Sequence, residues 1–289
     1  MDRERARKAF AAYVRPYGMD NPRIALKVVH TNRVSEVCEA IARAEGLTAE
    51  DIDLAWLCGL LHDIGRFEQL RRWDTFSDGE SAPHALIGVE VLFGAGAAGL
   101  PEPLITANHE CLLPNFIDRR DNDGLIRTAV ALHSDFRLPA ELNAREHLFC
   151  SIVRDADKVD ILRTLQENTV QTILKVSDQA FLDSSFSEEA LAAFHEHRCL
   201  RRDERHSPAD YLLGLVAFVF ELDFPESRRY LKEAGYLETF LERPFGLEPE
   251  FTVPETKRLY REIAEEAFAA LAERTSGRAF RLLTDTPSR

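Results

Sequence analysis

Apolar residues in this chain recur at helical spacing, and nothing in it reads clearly as the alternation of a strand. From Pro22, suited to a first helical turn, to Gly46, suited to a C-terminal cap, the stripe Val34, Val37, Cys38 and Ile41 predicts a long amphipathic helix. Carried back along the same face, the stripe reaches His30, which should therefore point into the core. Thr48, with Asp51 three residues on, predicts the cap of a second helix. Its stripe of Leu54, Leu57, Cys58 and Leu61 runs into His62-Asp63, and Gly65 is expected to break it. A third helix should begin near Ser81-Ala82-Pro83, with His84, Ile87, Gly88 and Val91 on one face. A short segment closed by Pro114 carries Ile105, His109 and Leu112. Two further helices carry Ile126, Ala129, Val130 and His133, then Leu148, Ile152, Asp155, Val159 and Leu162. Beyond them, Leu212, Leu215, Val216 and Val219 predict a buried helix, and 226–243 and 254–273 read as amphipathic helices. Asp78-Gly79 and Asp123-Gly124 each precede a helical pattern and join no pair of strands. The expected fold class is all-α.

The informative residues are those that interrupt the stripes. His30, His62, Asp63, His84, His133 and Asp155 all sit at the end of an apolar run or within an apolar face, and His109 does so over a shorter segment. A single histidine on such a face is usually a satisfied core residue. Several on separate helices, together with two aspartates, are harder to explain one at a time, because each buried carboxylate needs its own donors. One shared metal site satisfies them together, since borderline divalent cations accept imidazole nitrogen and carboxylate oxygen alike.

Composition narrows the choice. The chain has 289 residues with 49 acidic against 36 basic side chains, a formal net charge of -13. That balance speaks against a nucleic-acid polymer as partner and allows a small anionic substrate where cations or a metal gather locally. Five cysteines lack paired spacing, which points to a reducing compartment, and no apolar run spans a membrane or forms a signal core. A cytoplasmic protein with no membrane partner is expected.

The order His30, then His62-Asp63, then Asp155 resembles the H…HD…D pattern of the HD superfamily of metal-dependent phosphohydrolases. Leu61-His62-Asp63-Ile64-Gly65-Arg66 resembles the family's HDIG variant, with Arg66 where a lysine is frequent. Phe76 to Ser81 followed by His84-Ala85 and Gly88, and Ile152 to Asp160, resemble segments of one bacterial subgroup. The resemblance implies an HD-type helical domain over residues 1–180, with C-terminal helices over 181–289 packed on it or continuous with it. It implies that His30, His62, Asp63 and Asp155 bind one metal. In the binuclear pattern Asp63 bridges to a second ion held by His84 and a later histidine, here His133, with His109 as the alternative. The cofactors implied are two divalent ions of the Mn, Fe, Mg, Co or Ni class. The activity implied is hydrolysis of a phosphate ester of a small molecule or nucleotide by metal-activated hydroxide, with Arg66 and Lys158 as candidates to face phosphate. Two other classes compete: an HD-type di-iron oxygenase, which shares this ligand pattern, and a non-catalytic sensor, against which the complete ligand set argues. A homo-oligomer is compatible with all three readings.

Overall fold

Helices make up all the regular structure among the described residues, 1–105 and 111–275, of the computed structural model. The chain divides into two compact units, Met1–Asp157 and a second that begins at Lys158. The division falls inside one long helix, whereas the sequence reading places it at 180/181. A boundary inside a helix carries no Gly, Pro or polar linker to announce it.

The first unit contains α1 (Arg3–Val14), α2 (Pro22–Ala44), α3 (Ala49–Leu61), α4 (Gly65–Trp73), α5 (His84–Phe93), α6 (Leu113–Phe116), α7 (Asp123–Leu132) and the first part of α8 (Ala144–Gln166). The capping signals operate as their chemistry dictates. The Asn21 side chain accepts from the Arg23 N–H with Pro22 at the first turn of α2, and the Thr48 hydroxyl accepts from the Asp51 N–H at the start of α3. Helix α1 lies outside the sequence reading, although Asp2 caps it and Ala6, Phe10 and Val14 repeat at i, i+4 and i+8 and are buried. The core beneath these helices includes Trp56, Phe67, Phe116, Phe149, Ile41 and Leu57.

Gly65 does not stop a helix. The turns at 62–64 close through the Ile64 N–H on the Leu61 carbonyl and the Arg66 N–H on the Asp63 carbonyl, and Gly65 opens α4. What Gly65 supplies is room. A Cβ there would lie 2.2 Å from the His84 carbonyl oxygen and 2.4 Å from the Gly88 nitrogen, both backbone atoms. Only glycine lets α4 and α5 approach so closely, which brings the His62-Asp63 turn up to the start of His84's helix.

In the second unit, α9 (Val170–Leu174), α10 (Asp178–Leu182), α11 (Glu188–His195), α12 (Pro208–Val216), α13 (Pro225–Glu233), α14 (Tyr236–Glu242) and α15 (Pro254–Thr275) follow the end of α8. Their core is built on Leu162, Phe181, Phe194, Leu213, Phe220, Phe240 and Ile263. The helix expected over 226–243 is two, because Gly235 takes a positive φ of 65° between them. Among the described residues no helix is long and apolar enough to cross a membrane. All five cysteines are free thiols.

Candidate metal centre

Three helices and two turns of the first unit bring side chains to one buried spot. His30 comes from α2, His62 and Asp63 from the turn after α3, His84 from the first position of α5, His133 from the residue after α7, and Asp157 from α8. Donor atoms of His30, His62 and Asp63 lie within 4.8 Å of one another; so do those of Asp63, His84 and His133, and those of His62, His133 and Asp157.

Asp63 sits between two sets of histidines and turns a different oxygen to each. Its Oδ2 lies 3.5 Å from His30 Nε2 and 3.7 Å from His62 Nε2. Its Oδ1 lies 3.3 Å from His84 Nε2 and 3.7 Å from His133 Nε2. Asp157 Oδ1 completes the first set, 3.1 Å from His30 Nε2 and 3.7 Å from His62 Nε2.

The sequence reading assigns this last position to Asp155, and the structure corrects it: Asp157 converges on the histidines, and Asp155 belongs to none of the clusters found among the described residues. The two residues stand about 200° apart around α8. The stripe that pointed to Asp155 misled because α8 is buried on nearly every side in its middle: Phe149, Cys150, Ser151, Ile152, Val153, Asp155 and Ala156 are all buried. A helix buried all round has no single apolar face against which to locate a functional residue.

The protonation of the histidines follows from their partners. His62 Nδ1 lies 2.7 Å from the Gly59 carbonyl, and His133 Nδ1 lies 2.7 Å from the Val130 carbonyl. A carbonyl only accepts, so both Nδ1 atoms carry hydrogen. His84 Nδ1 faces both oxygens of Asp78, at 2.9 and 2.8 Å, and donates in the same way. Neutral rings so oriented turn bare Nε2 lone pairs toward Asp63. His84 Nε2 and His133 Nε2 stand 2.9 Å apart, and the buried Nε2 of His62 has no hydrogen-bond partner. Burial, and then the Arg66 charge, push the His84 pKa down to about 3, and burial lowers that of His62. Extra protons are therefore disfavoured where lone pairs crowd a carboxylate. A divalent cation relieves that crowding, so the donor set fits a metal.

Burial alone would raise the Asp63 carboxyl pKa, but the Lys27 ammonium at 2.6 Å from Oδ2 outweighs it and holds Asp63 well below its ordinary value. For Asp157 the burial penalty is outweighed by the neighbouring His30 and His62 rings, which hold its carboxyl well below the ordinary value. Both carboxylates are ionised at neutral pH, as ligands must be.

Arg66 lies beside this cluster, its Nε 3.4 Å from Asp63 Oδ1 and buried without a hydrogen-bond partner. Its Nη1 donates to Gln69, to the Phe76 carbonyl and to Asp78. Lys158 belongs to the second unit, where its ammonium donates to the Glu221 carbonyl at 3.3 Å and lies 3.4 Å from the Glu221 carboxylate. It pairs there with Glu221. His109 lies outside the described residues.

Sequence reasoning missed Lys27, Asp78 and Gln69 as well as Asp157. Lys27 precedes His30 by three residues, a spacing that places both on one face of α2. Asp78 and Gln69 act only through other side chains, and no periodicity announces that.

A family model of the HD domain matches residues 28–162. Residues 28–162 form an HD domain. The family consists mostly of metal-dependent hydrolases, and the histidine–aspartate cluster lies within the matched segment. Comparison with curated proteins and with solved structures returned no match.

Proposed function

We propose that this HD-domain protein is a metal-dependent phosphohydrolase that cleaves a phosphate ester of a small molecule, with nucleotides among the candidate substrates. The observation that carries the reading is the division of Asp63, one oxygen toward His30 and His62 and the other toward His84 and His133. A carboxylate so placed suits a bridge between two divalent ions. Four imidazoles in the donor set favour the Mn, Fe, Co and Ni class over magnesium, which prefers an oxygen shell. Ions held by these residues would supply a nucleophile drawn from water at neutral pH and would neutralise phosphate oxygens. Gly59, Val130 and Asp78 hold three imidazoles in the ligating tautomer, so little reorganisation is needed on loading. Arg66, its Nη1 tied down and its Nε free of hydrogen bonds, offers a positioned guanidinium to a phosphate oxygen.

The test is elemental analysis of protein purified without added metal, combined with a screen of phosphate esters for release of inorganic phosphate. Two ions per chain and chelator-sensitive phosphate release are expected. Iron at the site with dioxygen consumption and no phosphate release would replace this reading with the oxygenase one. Tight ligand binding without turnover of any kind would favour a sensor.

A further inference from the structure

Lys27 is the group the reading above leaves over. Its ammonium lies 2.6 Å from Asp63 Oδ2, the oxygen that also faces His30 and His62. A lysine cannot ligate a metal while charged, and a cation held by His30, His62 and Asp63 would repel an ammonium on the same oxygen. Loading the centre would therefore favour turning the Lys27 ammonium away from Asp63. The side chain is positioned to turn outward: it is 19% exposed, against 3% for Asp63, so it approaches the carboxylate from the solvent side. Arg66 does the same on the other oxygen, 16% exposed and 3.4 Å from Oδ1. The two cations flank one aromatic ring, with Lys27 Nζ 5.6 Å and Arg66 Cζ 5.9 Å from the centroid of Phe76. Both cations are more exposed than His30 and His62.

Charge supports the same assignment. Asp63, Asp78 and Asp157 face Lys27 and Arg66 in the cluster as it stands, close to balance. Divalent ions make the group net positive, and a lysine displaced from its carboxylate then needs an anion. We infer that Lys27 is a substrate-binding residue, which with Arg66 forms a two-pronged receptor for the oxygens of a phosphate group. This rests on the phosphohydrolase reading.

The probe is inorganic phosphate, titrated calorimetrically into the manganese-loaded full-length chain, with manganese content and helicity measured on the same samples. Lys27→Met keeps the length of the side chain and removes the charge. It is expected to weaken phosphate binding by about tenfold or more while manganese content stays at the wild-type level. Lys27→Arg, which keeps the charge, should stay within about threefold. Phosphate bound by Lys27→Met as tightly as by wild type would reduce Lys27 to a counter-ion of Asp63 and leave the phosphohydrolase reading standing. Loss of manganese in Lys27→Met would make it a structural part of the centre, and overturn the inference as well. Wild-type protein that binds no phosphate would overturn the broader reading, and the Lys27 assignment with it.

Discussion

The two sides of Asp63 are built differently. On the Oδ2 side His30 and His62 are joined by a second carboxylate, Asp157, and the side chains come from α2, the turn after α3, and α8. On the Oδ1 side, among the described residues, Asp63 is grouped only with the imidazoles of His84 and His133, and Asp157 reaches His133 only in the cluster that includes His62. Their supports differ as well. His62 and His133 each donate to a carbonyl three residues back in their own chain, a local bond that forms with the helix end. His84 depends on the Asp78 side chain, which in turn is held by Gln69 and Arg66. A side with an extra full charge and local supports should hold a divalent ion more tightly than a side of neutral rings with one borrowed support. The Oδ2 side is thus expected to fill first and to empty last under a chelator.

The largest effect should come from the residue that couples the two sides. Gly65→Ala places a methyl against the backbone of His84 and Gly88, which cannot rotate away as a side chain would. Helices α4 and α5 must separate, carrying His84 off Asp63. A loss of about 3 kcal/mol, the upper end for overpacking, is expected, read by urea unfolding. The chain's two tryptophans, Trp56 and Trp73, both lie in the first unit, so their fluorescence reports on it alone. A Gly65→Ala protein of wild-type stability and metal content would show that the close approach is not needed.

Next in size is the loss of the tighter ion. Asp157→Ala should abolish metal binding on the Oδ2 side. Asp155→Ala, although that residue is buried, should keep its metal whatever it costs in stability. Elemental analysis of the two variants at matched helicity decides between them. Metal retained in Asp157→Ala and lost in Asp155→Ala would restore the assignment made from sequence.

That pair also marks how far the sequence could be read. His30, His84 and His133 interrupt stripes on helices with a definite apolar face, and the structure buries all three at the place their spacing implies. Pro22 at the first turn of α2 and the cap Thr48 are equally local signals. Asp157 was hidden because α8 has no exposed face at that level, so the phase of the helix could not be taken from hydrophobicity. Gly65 was taken for a helix breaker because its use, contact with a helix some twenty residues further on, is not a local property. Lys27 pairs with Asp63 far along the chain, and Asp78 reaches His84 across a connection that is not one continuous helix, so neither pairing follows a helical period.

On the weaker side, His84→Ala or His133→Ala should halve the metal load while the Oδ2 side stays filled, and His109→Ala should leave it nearly unchanged. Asp78→Asn keeps the shape but weakens the hold on His84. A drop of about 10- to 100-fold in affinity for the second ion is expected, with the first unaffected. Metal titration of these variants separates the sides. Two ions retained in His133→Ala with one lost in His109→Ala would move the ligand, and a single ion in saturated wild type would remove the weaker side altogether.

The smallest effect concerns acid, and it is measured on the metal-free protein. An unfolded histidine titrates near about 6.5, whereas burial lowers His62 and takes His84 to about 3 in the folded chain. Between those values the unfolded state binds more protons than the folded one. Each of the two histidines therefore contributes stability that is full above about pH 6.5 and is lost as the pH falls toward the folded value, at no more than about 1.4 kcal/mol per pH unit. The carboxylates Asp63, Asp78 and Asp157, held below their ordinary values, add to the loss only at lower pH, near and below about 3.9. Urea unfolding followed by tryptophan fluorescence should thus show stability falling from pH 6.5 to pH 4.5. His84→Gln should flatten that fall, because glutamine takes up no proton in either state. An equal slope in wild type and His84→Gln would mean that His84 is protonated in the folded metal-free chain, and the lone-pair crowding between His84 and His133 would then be relieved by a proton.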